Sequence, residues 1–198
     1  MSSSTKAASA GMSLIEVVVF IVVLGIGIAG TVILFGQLTR ASVDPMVRKQ
    51  LLALASSLLE EIELRPFTYC DPDEPAVTTA TAATAAQCGG DPTHVEGIGR
   101  ETFSPPGTED RYDQTKPFDN VNDYDGFNMA GANIKGADGQ VVPSLTGYSV
   151  TVQVANAGAT FGLAAEEALL ITVTASHIGT GTAVSLQGYR FRYAPNSP

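Results

Sequence analysis

The polar and apolar positions of this chain fall into three regimes. Val17–Phe35 is a run of 19 residues without a charge. At a helical rise of ~1.5 Å per residue it would extend ~28 Å, close to the thickness of a bilayer's hydrocarbon core. Leu14 to about Thr39 therefore reads as a helix apolar on every side, the mark of burial in lipid or in a bundle of like helices. From Met46 to Leu64 the pattern changes. Val47, Leu51, Leu54, Leu58 and Ile62 recur at three- and four-residue steps, with Glu60, Glu61 and Glu63 on the polar side. That spacing predicts an amphipathic helix. Asp44-Pro45 reads as its start, with Asp as N-cap and Pro in the first turn, and so predicts a kink or break near Ser42–Pro45. Arg65-Pro66 ends it.

The third regime lies at the far end. Tyr148–Val154 alternates, Ala168–Ala175 is β-branched, and Ala183–Tyr193 alternates again. These read as strands, the last two joined by a hairpin at Gly179-Thr180-Gly181. Residues 67–147, between helix and strands, are rich in Gly, Pro, Asp, Asn and Thr and keep no period. Within them Val77–Ala86 (VTTATAATAA) is low-complexity and reads as a mobile loop between two cysteines. Helix first and antiparallel strands last predict an α+β fold, the sheet burying one face against the amphipathic helix.

Composition removes several function classes. The 198 residues carry a formal charge of −9 and no basic cluster, which argues against nucleic acid as a partner. His94 and His177 are the only histidines, and there is no HExxH and no Ser nucleophile elbow. No spacing of carboxylates singles out an acid–base pair. No catalytic residue is assigned, and the chain reads as a non-enzyme. Gly25-Ile26-Gly27-Ile28-Ala29-Gly30 fits the dinucleotide fingerprint, but the apolar run continues through Phe35 and no βαβ unit follows. Glycines that soften the helix and let neighbouring helices approach are the preferred account, with no nucleotide or other cofactor.

Two groups remain. Asp119, Asn120, Asn122, Asp123, Asp125 and Asn128 surround Gly126 with oxygen, making Asp119, Asp123 and Asp125 candidate calcium ligands. EF-hand spacing fails, because counting back from Gly126 puts Val121 at the first ligand position, and a solvated loop with Asx turns is the competing account. Cys70 and Cys88 lie beyond the span. Two buried thiols or half a metal site are alternatives, yet no His or Cys completes a metal set. In an oxidising compartment a disulfide is expected, worth about 3 kcal/mol by loop entropy.

The segment before the apolar run narrows the field. Gly11-Met12-Ser13-Leu14-Ile15-Glu16, a Gly, a small polar residue and a lone acid at the head of a long uncharged span, resembles the class III signal of type IV pilins and pseudopilins. The resemblance implies cleavage by a prepilin peptidase between Gly11 and Met12, methylation of the new Met12 amine, and a role for Glu16 in subunit assembly. It also implies a type IV pilin-like fold, a long N-terminal helix lying across a small antiparallel sheet. Residues 1–11 would be the leader, 12–39 the transmembrane and assembly helix, and 40–198 a periplasmic domain holding the amphipathic helix (46–64), the loop-rich region (67–147) and the strands (148–193). An ordinary signal peptide explains neither the length of the run nor Glu16.

Local wording narrows the resemblance further. Ala41-Ser42-Val43-Asp44-Pro45, Leu58-Leu59-Glu60-Glu61-Ile62 and Phe118-Asp119-Asn120-Val121-Asn122-Asp123-Tyr124 with Gly126-Phe127 resemble minor pilins of the mannose-sensitive haemagglutinin pilus. The expected partners are prepilin peptidase, other pilin subunits through the N-terminal helix, and the inner membrane before assembly into a surface filament. Cation counts slightly favour the reverse topology, Lys6 before the span against Arg40, Arg48 and Lys49 after it. An internal amino terminus follows from the resemblance and the cysteines. A minor pseudopilin of a type II secretion system shares the signal. A membrane-anchored periplasmic enzyme or binding domain, with its leader retained, is the reading from another class.

Overall fold

A computed structural model describes residues 13–72, 82, 84–89, 94–103 and 107–192, without the side chains of 34–44 and 103. The chain divides into two compact units, Met1–Met46 and Val47–Pro198. Helix α1 spans Leu14–Glu63 with Pro45 inside it. The expected break at Ser42–Pro45 does not appear in the secondary structure, and Asp44 lies within the helix instead of capping it. Proline removes one i→i−4 bond, and the helix formers of Met46–Glu63 carry the ladder on. The end is as the sequence predicts. Leu64 and Arg65 donate back to Glu60 O and Ile62 O at 3.1 and 3.0 Å, and Pro66 stops further winding.

In the first unit, Leu14–Ile33 is long and apolar enough to cross a membrane. Its side chains are exposed, from Leu14 at 83 % to Val17 at 39 %. The one hydroxyl there satisfies itself, since Thr31 Oγ1 donates back to the carbonyls of Gly27 and Ile28 at 3.2 and 2.8 Å. Gly25, Gly27 and Gly30 sit inside this helix. The strand–turn–helix of a dinucleotide fingerprint is therefore not formed at them.

The second unit is built on a four-stranded antiparallel sheet of order β3-β4-β5-β6, comprising Asn128–Ala130, Tyr148–Asn156, Ala168–His177 and Ala183–Phe191. A separate two-stranded ribbon pairs β1 (Thr102–Phe103) with β2 (Gly107–Thr108). The three long strands match the sequence periods, although Tyr193 lies outside the described residues. Register pairs Val150 with Ala175, Val152 with Val173 and Val154 with Ile171, and all six are buried. The opposite face carries Thr172, Thr174, Ser185 and Gln187, which bond to one another across strands. The expected hairpin closes through Gly181, at φ +67°, whose N–H donates to His177 O at 2.9 Å.

The apolar stripe of the helix covers the buried sheet face. Val47, Leu51, Ala55, Leu58 and Ile62 join the strand residues in one cluster. Each of the Val, Leu and Ile side chains contributes ~1.5–3 kcal/mol on burial. The polar tail of the helix also turns inward at Glu61. Its carboxylate accepts from Arg111 Nε at 2.6 Å, Arg111 Nη2 at 2.5 Å and the Tyr124 hydroxyl at 2.8 Å.

The region 67–147 is more ordered than its sequence indicates. Phe118, Tyr124 and Phe127 meet edge-to-face, with centroids 4.9, 5.8 and 6.0 Å apart, and anchor it to the core. Among its described residues are short 3-10 turns, the β1–β2 ribbon and β3. Cys70 and Cys88 form the expected disulfide, with both cysteines buried beside Ala82. Most of Val77–Ala86 lies outside the described residues.

Candidate functional site

Two places on the chain carry unusual chemistry. The first is the head of α1. Glu16 stands in the first turn, where its carboxylate meets the positive end of the helix dipole. The N–H groups of Glu16 and Val17 donate to Ser13 O at 3.0 and 3.2 Å. Gly11 and Met12, the expected cleavage residues, lie outside the described residues.

The second place is a cluster of acids buried in the globular unit, and three segments build it. The first is tied to the disulfide arm. Cys70 bridges Val95 in antiparallel fashion, and the Glu96 N–H donates to Tyr69 O at 2.9 Å, which turns the Glu96 side chain inward. The second flanks the β1–β2 ribbon, where Glu109 N–H donates to Glu101 O at 3.2 Å and sets the two acids side by side. The third is the turn Asp119–Tyr124. Asp123 Oδ2 reaches back to accept the N–H groups of Asp119 and Asn120 at 2.9 and 2.8 Å, closing the turn. Asn120 pins that turn to the disulfide arm through Thr68 Oγ1, at 2.9 Å.

These segments converge. One oxygen each from Glu96, Glu101 and Asp123 lies within 4.8 Å of the other two. Glu96, Glu109 and Asp123 are 7, 2 and 0 % exposed. Among the described residues no N–H or hydroxyl donor reaches either oxygen of Glu96 or Glu101, Oε2 of Glu109, Oδ1 of Asp123 or the side-chain oxygen of Asn122. Electrostatics follow from that crowding. Burial, then the charges of Asp123 and Glu101, push the Glu96 carboxyl far above the usual carboxylate range. Glu109 is raised by burial, Asp123 and Glu101 in the same order. Burial raises Asp123 as well, to about 8, against the opposing pull of the Asn120 N–H.

Arg192 is a cation whose field reaches Glu96. Its guanidinium is committed elsewhere, lying 3.7 and 4.0 Å over the rings of Phe67 and Tyr69 and donating to the carbonyls of Phe67, Thr68 and Glu166.

The three acids that composition marked as calcium candidates thus separate. Asp123 belongs to the cluster. Asp119 stands beside it, its charge raising Glu96 and Asp123. Asp125 does not belong, because its Oδ1 accepts the Val154 N–H at 2.9 Å and fastens the turn to β4. Glu96, Glu101 and Glu109 escaped the sequence reading. Each is a single acid in an aperiodic stretch, and no fixed spacing connects them.

His177 ends β5 against Tyr148, with ring centroids 4.8 Å apart and Nδ1 bonded to Thr180. That is a strand-end packing role. A groove of about 730 Å³ runs beside the helix, lined by Leu54, Leu58, Arg111, Met129, Ile134 and Leu145 among others. Its chemistry is that of the Glu61–Arg111 pair already described. No family profile, curated protein or solved structure matches the chain.

Proposed function

We propose that this chain is a minor pilin, a structural subunit made as an inner-membrane precursor and built into a type IV pilus of the mannose-sensitive haemagglutinin kind. The observation that carries the reading is the conjunction at the amino terminus. Gly11-Met12-Ser13-Leu14-Ile15-Glu16 precedes a helix whose apolar side chains face outward from Leu14 to Ile33 with Glu16 as the one charge among them. Prepilin peptidase would cut between Gly11 and Met12 and methylate the new amine. The globular unit would then supply lateral contacts and exposed surface.

The role of Glu16 follows from electrostatics. In a filament core the exposed apolar residues of α1 pack on like helices, and Glu16 becomes a charge in a low-dielectric place. Unpaired, it opposes assembly. Paired with the Met12 amine at ~4 Å and an effective dielectric of ~20, it gains ~4 kcal/mol before desolvation. Only one axial register makes that pair, so the acid selects register as well as stabilising it.

Amino-terminal mass spectrometry of the protein from its native membrane tests the reading. The expected result is a chain beginning at N-methylated Met12, with Gly11→Val left as uncut precursor. A wild-type chain that keeps residues 1–11 would refute it and favour a plain membrane anchor.

A further inference from the structure

We propose that Glu96, Glu101 and Asp123 form a calcium site that ties together the three irregular segments of the globular unit. The group centres on Glu96, which is more than nine-tenths buried, points an oxygen to within 4.8 Å of those of Glu101 and Asp123, and receives no N–H or hydroxyl donor on either oxygen from the described residues. Glu109, also more than nine-tenths buried, stands on the neighbouring strand ribbon with no such donor at Oε2.

Geometry and donor chemistry select the ion. Oxygens bound to one calcium lie ~2.3–2.6 Å from it, so any two are at most ~5 Å apart. The mutual separations of the Glu96, Glu101 and Asp123 oxygens fall within that limit. The donor set is oxygen only, without the thiolate or imidazole that zinc, copper or nickel would favour. Magnesium holds several waters and takes one or two carboxylates, whereas three converge here, two of them buried. Calcium, with six to eight ligands and loose geometry, matches it. The unpaired side-chain oxygen of Asn122, next to Asp123 and 3 % exposed, is a neutral donor in the same turn.

Binding would have a structural consequence. Glu96 hangs from the disulfide arm, Glu101 and Glu109 from the β1–β2 ribbon, and Asp123 from the turn that carries Tyr124 into the core. One ion would cross-link all three, in a region with little regular structure of its own. The alternative for such a cluster is protons shared between carboxyl groups, which requires no metal and gives no metal response. The proposal stands on the globular unit and does not depend on the pilin reading.

Full-length protein in detergent, stripped with EGTA and returned to calcium, magnesium or neither, provides the test by near-UV circular dichroism melting and ⁴⁵Ca equilibrium dialysis. Calcium at ~100-fold over its Kd should raise the melting temperature by roughly 5–10 °C, with one ion bound per chain and little response to equimolar magnesium. Glu96→Gln preserves shape while removing the carboxylate that would bind the ion. It should lose most of the calcium shift and the bound ⁴⁵Ca. Absence of any calcium shift in folded wild type would overturn the proposal, as would an undiminished shift in Glu96→Gln/Glu101→Gln. An equal response to magnesium would overturn the assignment of the ion.

Discussion

Removing Glu61 from the last turn of the helix should expose how the globular unit is locked. Glu61 is 19 % exposed and Arg111 6 %, and two short bonds of 2.6 and 2.5 Å join them. Burial alone would raise the Glu61 carboxyl, but the Arg111 guanidinium and the Tyr124 hydroxyl hold it below its ordinary value of 4.5. Glu61→Gln strands a buried guanidinium whose other contacts are Tyr112, Met129 and the Lys135 carbonyl. Breaking a fully buried pair from one side costs ~3–5 kcal/mol, and the partial exposure of Glu61 lowers that to about 2–4 kcal/mol.

Urea unfolding of full-length protein in detergent at pH 7, followed by tyrosine near-UV dichroism, reads the loss directly. Arg111→Met should cost a similar amount, and the double variant much less than the sum, because no charge is left without its partner. Acid should reproduce part of the effect. A carboxyl lowered on folding adds stability that is complete above its unfolded value and disappears as pH falls through the folded one. The Glu61 share should therefore fade below about pH 4.5 in wild type and be missing from the Glu61→Gln profile. Strict additivity of the two single substitutions, or a loss under ~0.5 kcal/mol for Glu61→Gln, would refute the account.

Two further outcomes test other levels of the structure. Glu16→Ala should be processed at Gly11–Met12 like wild type but recovered from sheared filaments at roughly a tenth of the wild-type amount or less, a ratio that immunoblotting measures. Equal recovery would remove the register role of the acid. Gly158→Ala would drive a Cβ onto the backbone carbonyl of Ala164 in the turn between β4 and β5. It should cost about 1–3 kcal/mol in the same urea assay, whereas Gly97→Ala, with nothing within 4 Å of its added Cβ, should stay within about 0.5 kcal/mol of wild type.

What the sequence disclosed followed from period. The stripe Val47–Ile62 and the strands from Tyr148 onward obey single repeats over many residues, so local pattern and tertiary burial agree there. Where two local rules compete, the sequence misleads. Asp44-Pro45 has the composition of a helix start, yet the good helix formers on its C-terminal side sustain the ladder through the proline. β3 is three residues long and is paired along its length with β4, too short to show an alternation of its own. The acid cluster was legible only at Asp123. Its other members come from segments up to 27 positions away, as Glu96 is from Asp123, and are brought together by a disulfide bridge, a ribbon and a turn closed by the Asp123 carboxylate, none of which leaves a spacing to find.

Those same devices explain why buried acids belong in this part of the fold. Each ordered residue costs ~1–2 kcal/mol of backbone entropy, and the irregular region has few large buried side chains to set against that, chiefly Phe67, Phe118, Val121, Tyr124, Phe127 and Ile134. Cross-links make up the difference. The disulfide restrains the unfolded chain between Cys70 and Cys88 but does not reach the ribbon or the Asp119–Tyr124 turn. Glu96 does reach, because its N–H is tied to Tyr69 at 2.9 Å while its carboxylate meets those of Glu101 and Asp123. As bare anions these groups would push the three segments apart, and a divalent cation reverses the sign of the interaction. The disulfide and the acids therefore act in series, the first holding Glu96 where the second can use it.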